Sequence, residues 1–363
     1  RFTPHLKIVV AHQQIAGINT FKNLPKMYSH YDIIITSFAM ARKLEWLQEK
    51  KWYYVILDEA QAIKNPSATQ TKAIKKIIGE HKLILTGTPV ENRLTDLWSL
   101  FDFINPGLLG SIKKFTGFMK GLPDKPEGYT RLRQVIRPYI LRRLKTDKSI
   151  ISDLPEKIEM KCYAELTKAQ IVLYKDLVKE FENLLKESDG IKRRGLILGY
   201  LIKFKQLCNH PDHFSGIGEY REQHSGKFSR LRDICQVVYE KREKILIFTQ
   251  FKEIVKPLDS LLSSLFNRKG FIISGATAVK KRKDMISLFQ SDDYIPYFIL
   301  TLKAGGVGIN LTAASHVVHF DRWWNPAVEN QATDRAFRIG QKKNVVVHKF
   351  ISKGTIEEKI DEM

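Results

Sequence analysis

The chain has 363 residues, of which 60 are Lys or Arg and 39 are Asp or Glu, so its formal net charge is +21. Its 43% hydrophobic and 10% aromatic content excludes a disordered or fibrous chain, and its length favours two domains. Three cysteines that lie far apart argue against a disulfide-stapled secreted protein, and the longest uncharged apolar run, 195–202, is too short to span a membrane. A charge excess of this size favours a polyanionic partner, nucleic acid first, over a basic surface kept for solubility.

The first third of the chain alternates short apolar runs with helical patterns. The runs, each rich in β-branched residues, lie at 6–11, 33–36, 53–58 and 83–86. Nearly continuous apolar runs of this length are typical of strands that are buried on both faces. The clearest helical pattern between them covers 68–78. Strand and helix in repetition predict a parallel sheet in an α/β domain.

The composition changes at the chain breaker Asn105-Pro106-Gly107. Residues 111–150 hold 11 Lys and Arg against 3 Asp and Glu. One strand-like stretch follows at 158–163, and then two long amphipathic helical patterns at 168–186 and 192–207. The alternation then resumes, with predicted strands at 245–249, 271–273, 297–301, 317–320 and 345–351.

These changes predict an α/β fold in two halves, each with helical insertions. We divide the chain into a first lobe at 1–105, a basic helical insertion and linker at 106–155, the start of the second lobe with a helical insertion at 156–225, and the second lobe proper at 226–363.

Two adjacent acids follow the strand predicted at 53–58. Asp58 and Glu59 open the sequence Asp58-Glu59-Ala60-Gln61 at the carboxyl end of a parallel strand, where α/β proteins place ligand chemistry. One carboxylate can hold Mg²⁺ while its neighbour polarises an attacking water, a division of roles that suits nucleotide hydrolysis. Acids also follow strands as helix caps, and this alternative stays open.

The sequence Thr86-Gly87-Thr88 follows the next predicted strand and begins 28 residues after Asp58. Gly87 permits a tight backbone, and the two flanking hydroxyls can hydrogen-bond a neighbouring carboxylate. A plain turn explains these residues equally well.

Residues 301–341 carry the richest pattern in the chain. Lys303-Ala304-Gly305-Gly306-Val307-Gly308-Ile309-Asn310 is a glycine-rich loop whose backbone can approach a phosphate or another loop closely. A further predicted strand is followed by Asp321-Arg322-Trp323-Trp324-Asn325-Pro326. Two tryptophans beside a proline favour a functional loop, with a helix start around a buried tryptophan as the alternative.

The end of this segment has polar residues at helical spacing. Gln331, Asp334, Arg335 and Arg338 recur at steps of three or four, which predicts that they share a helix face. Such a face is commonly solvated. Two arginines beside a glutamine can also stabilise the charge that develops on a transferring phosphoryl group.

Together these sequences resemble the Swi/Snf family of ATP-driven DNA translocases within helicase superfamily two. The resemblance covers essentially the whole chain in the family's order, and its most specific part combines 321–326 with 335–341. The other matching stretches are 58–61, 85–89, 106–110, 140–143, 248–251 and 303–310.

The resemblance implies two RecA-like parallel-sheet lobes that bind ATP and Mg²⁺ and step along duplex DNA as the lobes close and reopen. It gives Asp58 the Mg²⁺ and Glu59 the role of catalytic base. Arg335 and Arg338 would reach the ATP phosphates across the cleft, with support from Gln331. The implied nucleotide-binding positions are Asp58, Thr86, Gly87, Thr88, Gly306 and Gly308. The implied DNA-binding positions are Thr36, Thr249, Gln250, Lys303, Asn310, Trp323 and Trp324.

One part of the family pattern is not found. A phosphate-binding loop, Gly-x-x-x-x-Gly-Lys-Ser/Thr, precedes the Asp-Glu pair in the family, and no such sequence precedes Asp58. The pair Gly226-Lys227 is followed by Phe228 and lies in the wrong half, so we interpret it as a helix start. The opening residues 2–7 resemble the family just after that loop. We therefore expect a fragment with little or no ATPase activity, from an active parent protein.

The sequence Cys208-Asn209-His210-Pro211-Asp212-His213 offers three metal ligands but no fourth at a suitable spacing. We therefore favour a helix that ends before Pro211, with Cys208 packed, over a zinc site.

Basic clusters occur in both halves, at 111–150, 192–194, 268–269, 280–283 and 342–343. Each alone is typical of a solvated face, but their spread fits phosphate contacts that hold DNA without reading its sequence. We predict an intracellular monomer (cytoplasm or nucleoid, or nucleus) that binds duplex DNA and possesses no membrane anchor, with DNA-bound proteins as further partners. The alternatives are a non-catalytic binding or docking scaffold derived from such a motor, and an RNA helicase of the same superfamily, which Gln61 and the Trp323-Trp324 pair weaken.

Overall fold

A computed structural model describes residues 3–12, 15, 17–87, 94–122, 127–145, 147–275, 277–302 and 308–362. The chain divides into two compact units, residues 1–141 and 142–363, and each is treated by itself below. Within the described ranges, no helix is both long enough and apolar enough to cross a membrane.

The first unit alternates short parallel strands with helices, as the sequence predicts. Its described strands are β1 (Ile8–Val10), β2 (Ile33–Ile35), β3 (Lys51–Leu57) and β4 (Ile78–Ile84), with β1 beside β2 and β3 beside β4. Its described helices are α1 (Ile18–Met27), α2 (Phe38–Lys43), α3 (Trp46–Glu49), α4 (Thr69–Lys75), α5 (Leu94–Ile104), α6 (Ile112–Lys120) and α7 (Glu127–Ile136).

The helix predicted at 68–78 ends at Lys75, and β4 begins at Ile78 instead of residue 83. The parallel register pairs Ile78 with Lys51 on β3, so strand pairing takes up residues that the helical pattern had claimed. Gly79 permits this close approach, because a Cβ atom there would lie 2.6 Å from a methyl group of Val55.

Only one face of the β3–β4 pair is covered by the described helices. Val55 and Leu57 pack against Ile74 of α4 and Leu100 of α5. Ile56, between them on β3, is 56% exposed. Since successive strand residues point to opposite faces, the prediction that these strands are buried on both faces is wrong for the first unit.

The second unit is built on one parallel sheet of six strands, in the order β5-β10-β9-β6-β8-β7. The strands are β5 (Lys157–Ala164), β6 (Ile245–Thr249), β7 (Phe271–Ile273), β8 (Tyr297–Thr301), β9 (His316–His319) and β10 (Val345–Ser352). The described helices are α8 (Lys168–Lys186), α9 (Gly190–Asn209), α10 (Pro211–Ser215), α11 (Gly226–Glu240), α12 (Val255–Phe266), α13 (Val279–Gln290), α14 (Pro326–Thr333) and α15 (Ile356–Glu362).

Both faces of the strands β6, β8 and β9 are buried, as the continuous apolar runs predict, whereas most of the edge strand β5 is exposed. On β6, Ile245 and Ile247 join the cluster that packs against α11 and α12. Leu246 and Phe248 join a second cluster with Phe289 of α13. Each residue of β6, β8 and β9 is buried. The prediction of an α/β fold with a parallel sheet is confirmed.

The helices α8 and α9 form a hairpin beside this sheet. Thr167 and Gln170 make a capping box that begins α8. The hairpin has its own small core, formed by Leu177, Tyr200, Phe204 and Leu207. β5 precedes it and lies at the sheet edge, paired in parallel with β10. The predicted segment boundaries at 105, 155 and 225 stay predictions.

Candidate functional site

Asp58 and Glu59 lie at the carboxyl end of β3, and both are exposed. Glu59 adopts φ 51° and ψ 51°, a left-handed conformation that is uncommon for a residue with a side chain. Its backbone N–H donates to Asp58 Oδ1 at 3.0 Å. The left-handed residue turns the chain into a short 3₁₀ helix, Ala60–Ile63, and strained backbone of this kind is concentrated at functional sites.

The Asp58-Glu59 segment is hydrogen-bonded to the segment that follows β4. Gln61 Nε2 donates to Glu59 Oε2 at 2.6 Å, and the Thr86 hydroxyl donates to Gln61 Oε1 at 3.0 Å. The backbone N–H of Ala60 also donates to the Leu85 carbonyl at 3.0 Å. The structure therefore brings together the two motifs singled out by their spacing, and a chain of side chains joins the Thr86 hydroxyl to the Glu59 carboxylate.

Thr36 follows β2 at the carboxyl end of the β1–β2 pair. Its hydroxyl donates to the Ala11 carbonyl at 3.2 Å, which ties the end of β2 to the end of β1. Gly87 is exposed, and Thr88 lies outside the described residues.

In the second unit, Asp321 follows β9 and holds the end of β6. It is 1% exposed. Its Oδ2 accepts a hydrogen bond from the Thr249 hydroxyl at 2.5 Å, and its Oδ1 accepts one from the Gln250 backbone N–H at 3.0 Å. Thr249 is fully buried, so its hydroxyl shapes the loop, while Gln250 is only partly buried.

The two tryptophans that follow have different surroundings. Trp323 is half-buried against the second core cluster, whereas Trp324 is 40% exposed. The Trp323 backbone N–H donates to Glu329 Oε1 at 2.7 Å, and Arg322 Nε donates to the same oxygen at 3.0 Å. The core interpretation thus suits Trp323, and the functional-loop interpretation suits Trp324.

The prediction that Gln331, Asp334, Arg335 and Arg338 share a helix face is wrong. α14 ends at Thr333, and Arg335 is 6% exposed while Arg338 is exposed. The Arg335 carbonyl accepts a hydrogen bond from the Leu311 N–H at 2.8 Å, a tertiary contact that replaces the continuation of the helix.

The glycine-rich loop is described only in part. Gly308 and Asn310 are exposed, and Gly308 has φ 23°. Lys303 and Gly306 lie outside the described residues.

Sequence reasoning missed a buried polar network around Asp321. Lys227 Nζ donates to the Phe320 carbonyl at 3.0 Å, to Asn209 Oδ1 at 2.9 Å and to Glu357 Oε1 at 2.6 Å. Ser225 caps α11, which confirms the helix start at Gly226-Lys227, but the lysine side chain has this further set of contacts.

Lys205 of α9 belongs to the same network and donates to the Arg322 carbonyl. Burial lowers its pKa from the ordinary value. A lysine inside the mostly apolar stretch 204–208 is the one signal that could have indicated it.

The contacts of His210 favour the helix end over a metal site at 208–213. His210 Nδ1 accepts a hydrogen bond from the Asp212 N–H at 3.0 Å, and Nε2 lies 2.9 Å from the Arg221 carbonyl. Both ring nitrogens are therefore engaged with main-chain groups. α9 ends before Pro211 with Cys208 buried, as the favoured alternative predicts. Among the side chains that the structure describes, no three His, Cys, Asp or Glu are grouped to hold a metal ion.

Comparison with known proteins shows the family to which the chain belongs. The SNF2-related domain matches residues 1–213, and the Helicase conserved C-terminal domain matches residues 226–340. Bacillus subtilis YwqA, a protein assigned to the ATP-dependent helicases/translocases, is 44% identical over an alignment of 345 positions, which covers 93% of this chain and 37% of YwqA. The human DNA excision repair protein ERCC-6 is 33% identical over an alignment of 392 positions, which covers 98% of this chain and 26% of ERCC-6.

Among solved structures, the Sulfolobus solfataricus SWI2/SNF2 ATPase core in complex with dsDNA is 42% identical and matches with a TM-score of 0.53, over 99% of this chain and 74% of that one. The fold is therefore that of the RecA-like ATPase cores of helicase superfamily two. The chain belongs to the SNF2 family of ATP-dependent translocases, and it spans 26–37% of the two curated relatives named above.

Proposed function

We propose that the chain is the motor core of a DNA-dependent ATPase, which moves along duplex DNA and, within its parent protein, remodels protein–DNA complexes. The observation that supports this most is the hydrogen-bonded series Glu59–Gln61–Thr86 at the carboxyl ends of β3 and β4. This is the edge at which parallel α/β sheets bind ligands, and two exposed carboxylates stand there side by side.

In this proposal Asp58 would hold Mg²⁺, and Glu59 orients and deprotonates the attacking water. Carboxylate oxygens are the ligands that Mg²⁺ prefers, and in nucleotide sites one or two carboxylates suffice because the phosphates complete the shell. Mg²⁺ would neutralise charge on the phosphates when bound. Through Gln61, the Thr86 hydroxyl orients the Glu59 carboxylate and links it to the end of β4.

The exposed Arg338 and the buried Arg335 are proposed to stabilise phosphate charge, with support from Gln331. The proposed duplex-binding set comprises Thr36, Gln250, Lys303, Asn310 and Trp324, with Thr249 and Trp323 shaping the loops. The +21 charge supports a partner that is held through its phosphates.

We infer that the 363-residue chain by itself hydrolyses ATP slowly or not at all, because its sequence contains no Gly-x-x-x-x-Gly-Lys-Ser/Thr loop to cradle the phosphates. The test compares ATP hydrolysis by this chain and by its parent protein, each with and without duplex DNA. Stimulation by duplex DNA in the parent alone is the expected result. Stimulation by RNA but not by duplex DNA would assign an RNA helicase, and no hydrolysis by either protein would favour a scaffold.

A further inference from the structure

Two lysines are buried at the carboxyl ends of β6 and β9, outside the motifs on which the proposed function rests. Lys205 and Lys227 are each 1% exposed. An ammonium group in a protein interior is costly unless acceptors surround it, so the acceptors show what each lysine holds in place.

Both ammonium groups donate to main-chain carbonyls that flank Asp321. Lys227 Nζ lies 3.0 Å from the Phe320 carbonyl oxygen, and Lys205 Nζ donates to the Arg322 carbonyl. Asp321 itself holds Thr249 and the Gln250 N–H. Residues 320–322 are thus held at both ends by a lysine ammonium group, and in the middle the Asp321 carboxylate binds the end of β6.

The hairpin of α8 and α9 makes a second contact with this segment. Asn209 Nδ2 donates to Asp321 Oδ2 at 3.4 Å, and Asn209 Oδ1 accepts from Lys227 Nζ at 2.9 Å. Lys205 and Asn209 are four residues apart on α9, so they lie on one helix face.

Lys205 also lies against both tryptophans. Its Nζ is 5.8 Å from the ring centroid of Trp323 and 5.3 Å from that of Trp324, within the range of a cation–π interaction. The buried ammonium group of Lys205 therefore contacts the Arg322 carbonyl and the ring faces of Trp323 and Trp324.

We propose that Lys205 and Asn209 are positioning residues through which the helical hairpin sets the conformation of two loops, 249–251 and 322–325. This inference rests on the proposed function, since it takes these loops to bind duplex DNA. The hairpin, which the sequence presents as an insertion, then forms part of the DNA-binding machinery.

The test is Lys205→Met in this chain, measured by tryptophan emission and by affinity for a duplex. We expect the emission maximum to shift, because the change removes the ammonium group beside both rings. We expect the Kd for duplex DNA to rise about tenfold, equivalent to about 1.4 kcal/mol. Lys205→Arg keeps the charge and should restore most of both signals. Lys203→Met is the matched control on the same helix, since Lys203 Nζ lies over the Tyr200 ring instead.

Asn209→Ala provides a second variant should Lys205→Met not fold, with the same rise in Kd expected. Circular dichroism shows which variants are folded at the temperature of the binding assay. An unchanged Kd in a folded variant overturns the inference. A higher Kd for Lys205→Met without a shift in the emission maximum overturns it as well. Unfolding of both variants would assign the residues a structural role only and overturn it as well. Failure of the unsubstituted chain to bind duplex DNA would instead overturn the proposed function.

Discussion

The Thr86 hydroxyl donates a hydrogen bond to the Gln61 side-chain oxygen at 3.0 Å, across the ends of two neighbouring strands. Gln61 passes this contact on, since its amide nitrogen donates to Glu59. A displacement of the segment after β4 would therefore change the orientation of the proposed catalytic carboxylate. The relationship gives a physical route by which the position of one loop can control water activation at another.

Thr86→Val tests this route in the parent protein. Valine has the shape of threonine without the hydroxyl, so Gln61 loses one partner and Glu59 is held less firmly. We expect kcat for ATP hydrolysis to fall about tenfold, which corresponds to about 1.4 kcal/mol, with little change in KM. A change in KM without a fall in kcat, or no change in either constant, would contradict the role given to Thr86.

Glu59→Gln in the parent protein removes the proposed general base while keeping the shape of the side chain. Loss of a general base costs about 10²- to 10⁴-fold in rate. We expect hydrolysis to fall by that factor while ATP binding, followed with a fluorescent analogue, persists. Glu80→Gln is the control, because Glu80 is an exposed carboxylate on β4, 3.6 Å from Lys51. Hydrolysis by Glu59→Gln at the unsubstituted rate would assign the base elsewhere.

Duplex binding should weaken steeply with salt and depend little on base sequence. A protein that neutralises about 6–10 phosphates loses about 10³- to 10⁵-fold in affinity between 50 and 200 mM salt. Titration of duplexes of several unrelated sequences at a series of salt concentrations measures this. Replacing Lys280 and Lys281 by Gln should lower the slope of log K against log salt by up to about 0.9 for each phosphate that the variant no longer neutralises. A Kd that stays constant across this salt range would rule out the proposed mode of binding.

Removing one partner of the Lys227–Glu357 ion pair is expected to destabilise the second unit more than replacing both partners. Both side chains are 0% exposed, and Nζ lies 2.6 Å from Oε1. Removing one partner of a buried pair costs about 3–5 kcal/mol, because the other charge is left without compensation. We expect Lys227→Met to lower the free energy of unfolding by that amount, measured by urea denaturation. The double variant Lys227→Met/Glu357→Leu should recover part of the loss, and an additive loss would contradict a direct coupling.

Stability should fall as the pH is lowered from about 6.5 to about 4, in part through His348. Burial is the main cause that lowers the pKa of this imidazole from 6.5 to about 4, with the neighbouring His316 next. His348 Nε2 lies 3.1 Å from His316 Nδ1, and His316 Nε2 lies 2.8 Å from Glu243 Oε2.

The unfolded chain takes up this proton below about pH 6.5, whereas the folded chain does so only near pH 4. The contribution to stability is therefore complete above pH 6.5 and lost progressively below it, by roughly 3 kcal/mol for a shift of this size. His348→Gln should flatten the dependence of the unfolding free energy on pH in this window. Identical pH profiles for the variant and the unsubstituted chain would contradict the assignment.

The sequence is sufficient to predict the second sheet closely. The strands at 245–249, 271–273 and 297–301 agree with the structure at both ends, because continuous apolar runs of β-branched residues form buried parallel strands wherever helices cover both faces. In the first unit the same kind of run, at 53–57, has one exposed face. Periodicity alone does not reveal how many faces the rest of the chain covers.

The parts of the site that escaped prediction depend on tertiary contacts. Helical spacing at 331–338 does not reveal that Leu311 binds the Arg335 carbonyl and that the helix ends early. The sequence also does not reveal that the side chains of Lys205 and Lys227 are buried, since lysine on a helix is normally solvated. The contact between Gln61 and Thr86 could have been predicted, because neighbouring parallel strands place their carboxyl ends at one edge of a sheet.

The uncovered side of β3 and β4 also has a consequence for handling the protein. Tyr54, Ile56 and Leu83 are each about half exposed or more. Large contiguous apolar surface of this kind promotes self-association in water. Residues 1–141 purified without the rest of the chain would accordingly bind hydrophobic dyes and elute as aggregates. The second unit, whose central strands β6, β8 and β9 are covered on both sides, is the better starting point for crystallisation and spectroscopy.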